Sequence, residues 1–130
     1  VRVLVTGSRA WTDTQAIVDA LTRVREHQEA AGQDGTDVTL VSGACPTGAD
    51  AIAEETAERM GWRVERHPAD WARHGRRAGY VRNSAMVELG ADLCLAFVVD
   101  GSRGAAMTAG LAQAAGILTV VHRAGRSCGV

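Results

Sequence analysis

The chain has 130 residues, 46% of them hydrophobic and 22% charged, with a formal net charge of −1 at neutral pH. That balance places it among ordinary soluble globular proteins, with material for one domain and one core. All 14 basic residues are arginine, which excludes a Walker-type lysine, a Schiff base and a Ser-Lys mechanism and leaves any cationic work to Arg, His or backbone.

The first strand is predicted over residues 2–6, followed by the loop Gly7-Ser8-Arg9-Ala10-Trp11. Thr12 and Gln15 have the spacing of a capping box, Thr at the cap and Gln three later. The helix they open carries Ile17, Leu21 and Val24 at i, i+4 and i+7 and ends in the polar stretch 31–35. A second strand is predicted over 38–41. It runs into Ser42-Gly43-Ala44-Cys45-Pro46-Thr47-Gly48-Ala49-Asp50, a small, Gly-rich strand-to-helix turn. Such a turn bares backbone N–H groups at a helix N-terminus, where partial positive charge suits a phosphate.

The second helix is predicted over 49–60, with Ile52, Thr56 and Met60 on one face and Gly61 closing it. A third strand, 63–67, stops at Pro68, and an Arg-rich polar stretch covers 70–79. The third helix spans 80–89 and ends at Gly90. The fourth strand, 93–99, is almost wholly apolar, as a strand buried on both faces should be. Asp100-Gly101-Ser102-Arg103-Gly104 is a further strand-end loop. A helix of small residues over 105–115 leads through Gly116 to a fifth strand, 117–121. Residues 1–122 form the domain, and 123–130 form a tail.

Repeated strand–helix alternation predicts an α/β fold, a three-layer Rossmann-like sandwich of about five parallel strands with helices on both faces. Ligands of such sheets bind beyond the carboxyl ends of the strands. The loops at 7–11, 43–50, 68–79 and 100–104 all follow strands, so all four belong to one rim. The membrane is excluded as a partner, because the apolar runs are far too short to span a bilayer; no charged-then-apolar leader opens the sequence, and a cytoplasmic location is expected. Cys45, Cys94 and Cys128 are odd in number, widely spaced and form no Cys-x-x-Cys, so reduced thiols and no metal are expected. Cys94 reads as a core residue and Cys45 as a loop thiol.

Several ordered motifs together resemble one family. They are Gly7-Ser8-Arg9-x-Trp11, Ser42-Gly43…Gly48-Ala49-Asp50, Pro68-Ala69-Asp70-Trp71, Ala78-Gly79-x-x-Arg82-Asn83-x-x-Met86, Leu95-Ala96-Phe97 and Gly101-Ser102-Arg103-Gly104…Ala115-Gly116-Ile117. Over residues 1–121 the chain resembles the YspA-like, YpsA-related branch of the SLOG superfamily of Rossmann-like domains. The resemblance implies a nucleotide-like small-molecule ligand. Related branches are the LOG-type phosphoribohydrolases, which cleave nucleoside monophosphates, and DNA-processing protein A, which binds single-stranded DNA. Arg82 with Met86 matches the Arg of the LOG-type motif. The segment 102–108 lacks the glutamate that those enzymes carry, and Met or Thr cannot replace a general acid at neutral pH.

The expected function is therefore binding or sensing of a nucleoside phosphate, NAD or ADP-ribose derivative, with no cofactor required. Gly7, Ser8, Gly43 and Gly48 are expected to approach phosphates; Gly43 and Gly48 serve equally as turn residues with positive φ. Arg9, Arg82 and Arg103 supply charge. Ser42, Ala49, Asn83, Ser102 and Gly104 complete the lining. Asp50 holds sugar hydroxyls, or complements the helix dipole. Trp11 is expected to face the ligand in preference to Trp71. Two alternatives stand beside this reading. One is a nucleotide N-glycosidase, whose catalytic residues would come from Asp50, Asp70 and Arg82. The other is single-strand DNA binding through the window 63–82, where six arginines meet two carboxylates; the near-neutral charge and five aromatics weigh against it. Small-residue helices allow a homodimer.

Overall fold

Alternation along the first strand sets the layers. In β1 (Arg2–Gly7), Val3 and Val5 point to one side and Leu4 to the other, and all three are fully buried. The computed structural model describes residues 1–124, and of Ala124 the backbone alone. Within it β1, β2 (Thr39–Ser42), β3 (Arg63–Arg66), β4 (Leu93–Val99) and β5 (Leu118–Ala124) form a wholly parallel sheet of order β3-β2-β1-β4-β5. Helices α1 (Thr14–Ala30) and α2 (Ala49–Arg59) cover one face, against Val3, Val5, Leu40, Leu95 and Phe97. The other face packs Leu4, Val41 and Cys94 against Met86 and Val87 of α4 (Ala78–Leu89) and Ala112 of α5 (Arg103–Ala114). Two layers of helix around a parallel sheet make the α/β Rossmann-like sandwich that the alternation predicts. No helix among the described residues is long and apolar enough to cross a membrane.

The boundaries differ from the sequence reading where a local group outcompetes the pattern. The cap of α1 is Asp13, not Thr12: its carboxylate accepts from the Ala16 N–H at 3.1 Å. A carboxylate at a helix N-terminus adds dipole complementarity to the hydrogen bond. The buried face of α2 is the small stripe Ala49, Ala53, Ala57 with Thr56, while Ile52 and Met60 are half-buried. Alanines at that spacing let the helix backbone lie close to the sheet. The polar stretch after β3 is not all loop. Asp70 accepts from the Arg73 N–H at 3.1 Å and opens the single turn α3 (Trp71–His74), which passes through a 3₁₀ turn at Gly75–Arg77 into α4. α4 and α5 each begin two residues earlier than expected. β5 runs on through Arg123 to Ala124, past the end expected at 121; residues 125–130, Cys128 included, lie outside the described residues.

Candidate functional site

In this strand order β1 is central, and the chain leaves β1 for the α1 face and β4 for the α5 face. The two connections part above the strand ends and open a crevice there. Its volume is about 490 Å³, within the range of roughly 300–1,000 Å³ typical of small-molecule sites. Gly7, Ser8 and Arg9 come from the end of β1, Gly43, Cys45 and Asp50 from the β2–α2 turn, and Tyr80, Arg82 and Asn83 from α4. Gly101, Ser102 and Gly104 come from the β4–α5 turn.

Ser8 holds the floor together. Its N–H donates to Phe97 O at 2.9 Å, and its Oγ accepts from the Val99 N–H at 2.9 Å, tying β1 to β4. Its carbonyl accepts from the N–H groups of Trp11 at 3.1 Å and Ala49 at 3.2 Å. Gly48 lies beneath that carbonyl with φ +77°, and a Cβ there would fall 2.4 Å from Ser8 O. Gly48 and Ala49 thus dock α2 under the β1 loop and do not line the crevice; turn geometry and close packing account for both. Ser42 is also structural. It is fully buried, its Oγ donates to Glu54 Oε2 at 2.6 Å and accepts from the Ala44 N–H at 3.1 Å.

The anion site expected at the start of α2 is changed by this packing. The Ala49 N–H is spent on Ser8, the Ala44 N–H on Ser42, and the Cys45 N–H on Asp50 Oδ2 at 3.3 Å. Asp50 itself fills the first turn with negative charge. It is 4% exposed, and its Oδ1 has no hydrogen-bond partner. Burial raises its pKa above the usual carboxylate value, against the opposing pull of the Cys45 N–H and of Arg82. Asp50 lines the crevice, and a buried acceptor without a partner asks for a donor.

Arg82 stands across Gly43 from that carboxylate. Its Nη1 donates to the carbonyls of Gly43 and, at 3.4 Å, His67; its Nε donates to Asn83 Oδ1 at 2.6 Å. A Cβ on Gly43 would lie 2.6 Å from Arg82 Nη1 and 3.0 Å from Asp50 Oδ2. Glycine at 43 is what lets the guanidinium and the carboxylate share one wall.

Positive potential enters from α5 instead of α2. Its cap, Ser102, makes no side-chain hydrogen bond to the helix, and its first turn holds no acidic residue. α1 is closed by Asp13 and α2 carries Asp50. Of these three, only α5 has neither a side-chain cap nor an acidic residue in its first turn, and Ser102, Gly104 and Ala105 bring that terminus into the crevice. Arg9 lines the same space, while Asp100 adds an exposed carboxylate to the lining.

The aromatic expectation is corrected. Trp11 is 3% exposed, meets Phe97 edge-on at 5.4 Å and donates its indole N–H to Asp13 O at 2.9 Å. It belongs to the core under α1. Trp71 is half-exposed, with the Arg9 guanidinium 5.9 Å from its ring centroid. Asp70 caps α3 and lies outside the crevice, and exposed Arg103 does not line it either. The structure gathers Gly7, Ser8, Arg9, Gly43, Asp50, Arg82, Asn83, Ser102 and Gly104 of the expected set. It adds Cys45, Gly79, Tyr80, Met86, Asp100 and Met107. Gly79 and Tyr80 lie three and two residues before Arg82 in the first turn of α4, and starting the helix at Ala78 would have placed them on it.

Comparison with known proteins agrees with this architecture. The model of YAcAr, the YspA, cpYpsA-related SLOG family, matches residues 1–74, more than half of the chain. The Gene 61 protein of Mycobacterium phage D29 is similar along nearly its whole length. It is 43% identical over 121 residues, covering 89% of this chain and 91% of that protein.

Proposed function

We propose that this chain, which belongs to the YspA, cpYpsA-related SLOG family, binds a nucleotide or nucleotide-derived molecule in the crevice between the ends of β1 and β4. Membership of the family suggests a nucleotide-related function. The observation that carries the reading is Asp50 Oδ1, buried without a donor on the wall of a crevice whose other end is an uncapped helix N-terminus. A molecule with hydroxyl donors at one end and a phosphate at the other satisfies both. The phosphate would lie beside Arg9 and the first turn of α5, taking the N–H groups of that turn, the helix dipole and the Arg9 guanidinium. Ribose hydroxyls would donate to Asp50, with Arg82 and Asn83 holding its surroundings in place.

The test is thermal stability with AMP, ADP-ribose and NAD at millimolar concentration. Ligand at 100 times Kd should stabilise by about 2.7 kcal/mol. No shift with any of the three overturns the reading.

Cleavage of the N-glycosidic bond is the second reading. Burial that raises the pKa of Asp50, inside the crevice, is in the direction a general acid needs and favours it. It predicts free base released from AMP, lost in Asp50→Asn. The absence of a carboxylate over 102–108, where Met107 lines the crevice instead, favours binding alone.

A further inference from the structure

We infer that Trp71 and Tyr80 form a base subsite at the mouth of the crevice, which takes a planar aromatic base by stacking once Arg9 vacates the Trp71 ring. This inference rests on the nucleotide reading above and extends it to the part of the ligand that neither Asp50 nor the α5 terminus accounts for.

Trp71 and Tyr80 are 51% and 42% exposed, and Tyr80 lines the crevice directly. Trp71 is the first residue of α3, and the Asp70 cap fixes the turn that carries it. Its ring borders the lining: a Cβ on Gly79 would sit 3.9 Å from Trp71 Cη2, and Gly79 faces the crevice. The ring face is now approached by a planar cation, the Arg9 guanidinium at 5.9 Å. Arg9 is exposed and makes no ion pair among the described residues. A phosphate at the α5 terminus gives that guanidinium a stronger, bidentate partner than a ring. Arg9 can therefore turn inward and leave the Trp71 face to the base. Stacking is tolerant of base identity because every base has a π-face; purines, with the larger face, should bind best.

The experiment uses intrinsic fluorescence. Trp11 and Trp62 are 3% and 5% exposed, so Trp71 is the one exposed tryptophan of the chain's three. AMP and ribose 5-phosphate are titrated in parallel, with binding followed by thermal shift. Both should bind, and AMP alone should quench Trp71. Trp71→Ala should weaken AMP roughly 5- to 150-fold, the loss expected for one base–aromatic stack, while leaving ribose 5-phosphate unchanged. Trp71→Phe should restore most of the AMP affinity.

Equal affinity of the wild type for the two ligands, or unaltered AMP affinity in Trp71→Ala, overturns the base subsite and leaves the nucleotide reading standing. Failure of both ligands to bind overturns the subsite, and the nucleotide reading falls with it when ADP-ribose and NAD also give no thermal shift. Retention of single-stranded DNA with steep salt dependence, and no quenching by AMP, assigns the wall to a nucleic acid and also overturns the proposal.

Discussion

Asp50 shows how one side chain can oppose stability and serve a site. Its carboxyl is buried, with one oxygen bonded to the Cys45 N–H and the other unpartnered. Burial raises its folded pKa above the ordinary 3.8, so ionisation favours the unfolded chain. The stabilising, protonated form is fully present below the unfolded value and is lost as pH rises through the folded one. Asp50→Asn cannot ionise. Its stability relative to the wild type should rise as pH climbs through the folded value toward 8. That change should level off below the unfolded value, as urea denaturation across pH would record. The same variant should lose nucleotide binding. Cys94 is an opposite case: burial pushes its thiol up to about 11, which leaves it an inert core residue. The sequence placed Cys94 correctly because an apolar run surrounds it. It misplaced Trp11, because a tryptophan beside a loop has no periodicity to say which way it turns.

At the scale of elements, hydrophobic period located every strand and every long helix, and local polar groups decided where they began. Thr12 and Asp13 are adjacent capping candidates, and the geometry selects Asp13. Asp13→Ala should therefore cost about 1 kcal/mol, and Thr12→Ala should stay within about 0.5 kcal/mol of the wild type, measured by chemical denaturation. The single turn α3 was not legible, since four residues show no periodicity; only the Asp70 cap marks it. Its appearance matters because it carries Trp71 to the crevice mouth. The β2–α2 turn was legible as a turn of phosphate-binding type, yet its N–H groups are spent on Ser8, Ser42 and Asp50. In the proposed function the uncapped terminus of α5, which the sequence reading began two residues late, takes that role instead.

Across the whole molecule, Arg2 of β1 reaches Glu65 of β3 with two parallel hydrogen bonds at 2.8 and 3.0 Å, spanning β2. Arg2 and His67 together hold the Glu65 carboxyl down at about 2. A depressed carboxylate contributes stability above its unfolded value, near 4.5, and loses it as pH falls through about 2. Glu65→Gln should thus lower stability at pH 7 by about 1 kcal/mol or less, since both side chains are one-third exposed and solvent-screened. The two proteins should converge near pH 2, as thermal melts across that range would show. The sequence by itself determined the α/β class, the five strands, the rim on which the loops meet and the family, because each follows from period, punctuation or ordered motifs along the chain. Only the tertiary structure decided the strand order, the burial of Trp11, the exposure of Trp71 and the missing partner of Asp50. Those depend on which segments, far apart in sequence, compete for the same hydrogen bonds and the same space when the sheet closes.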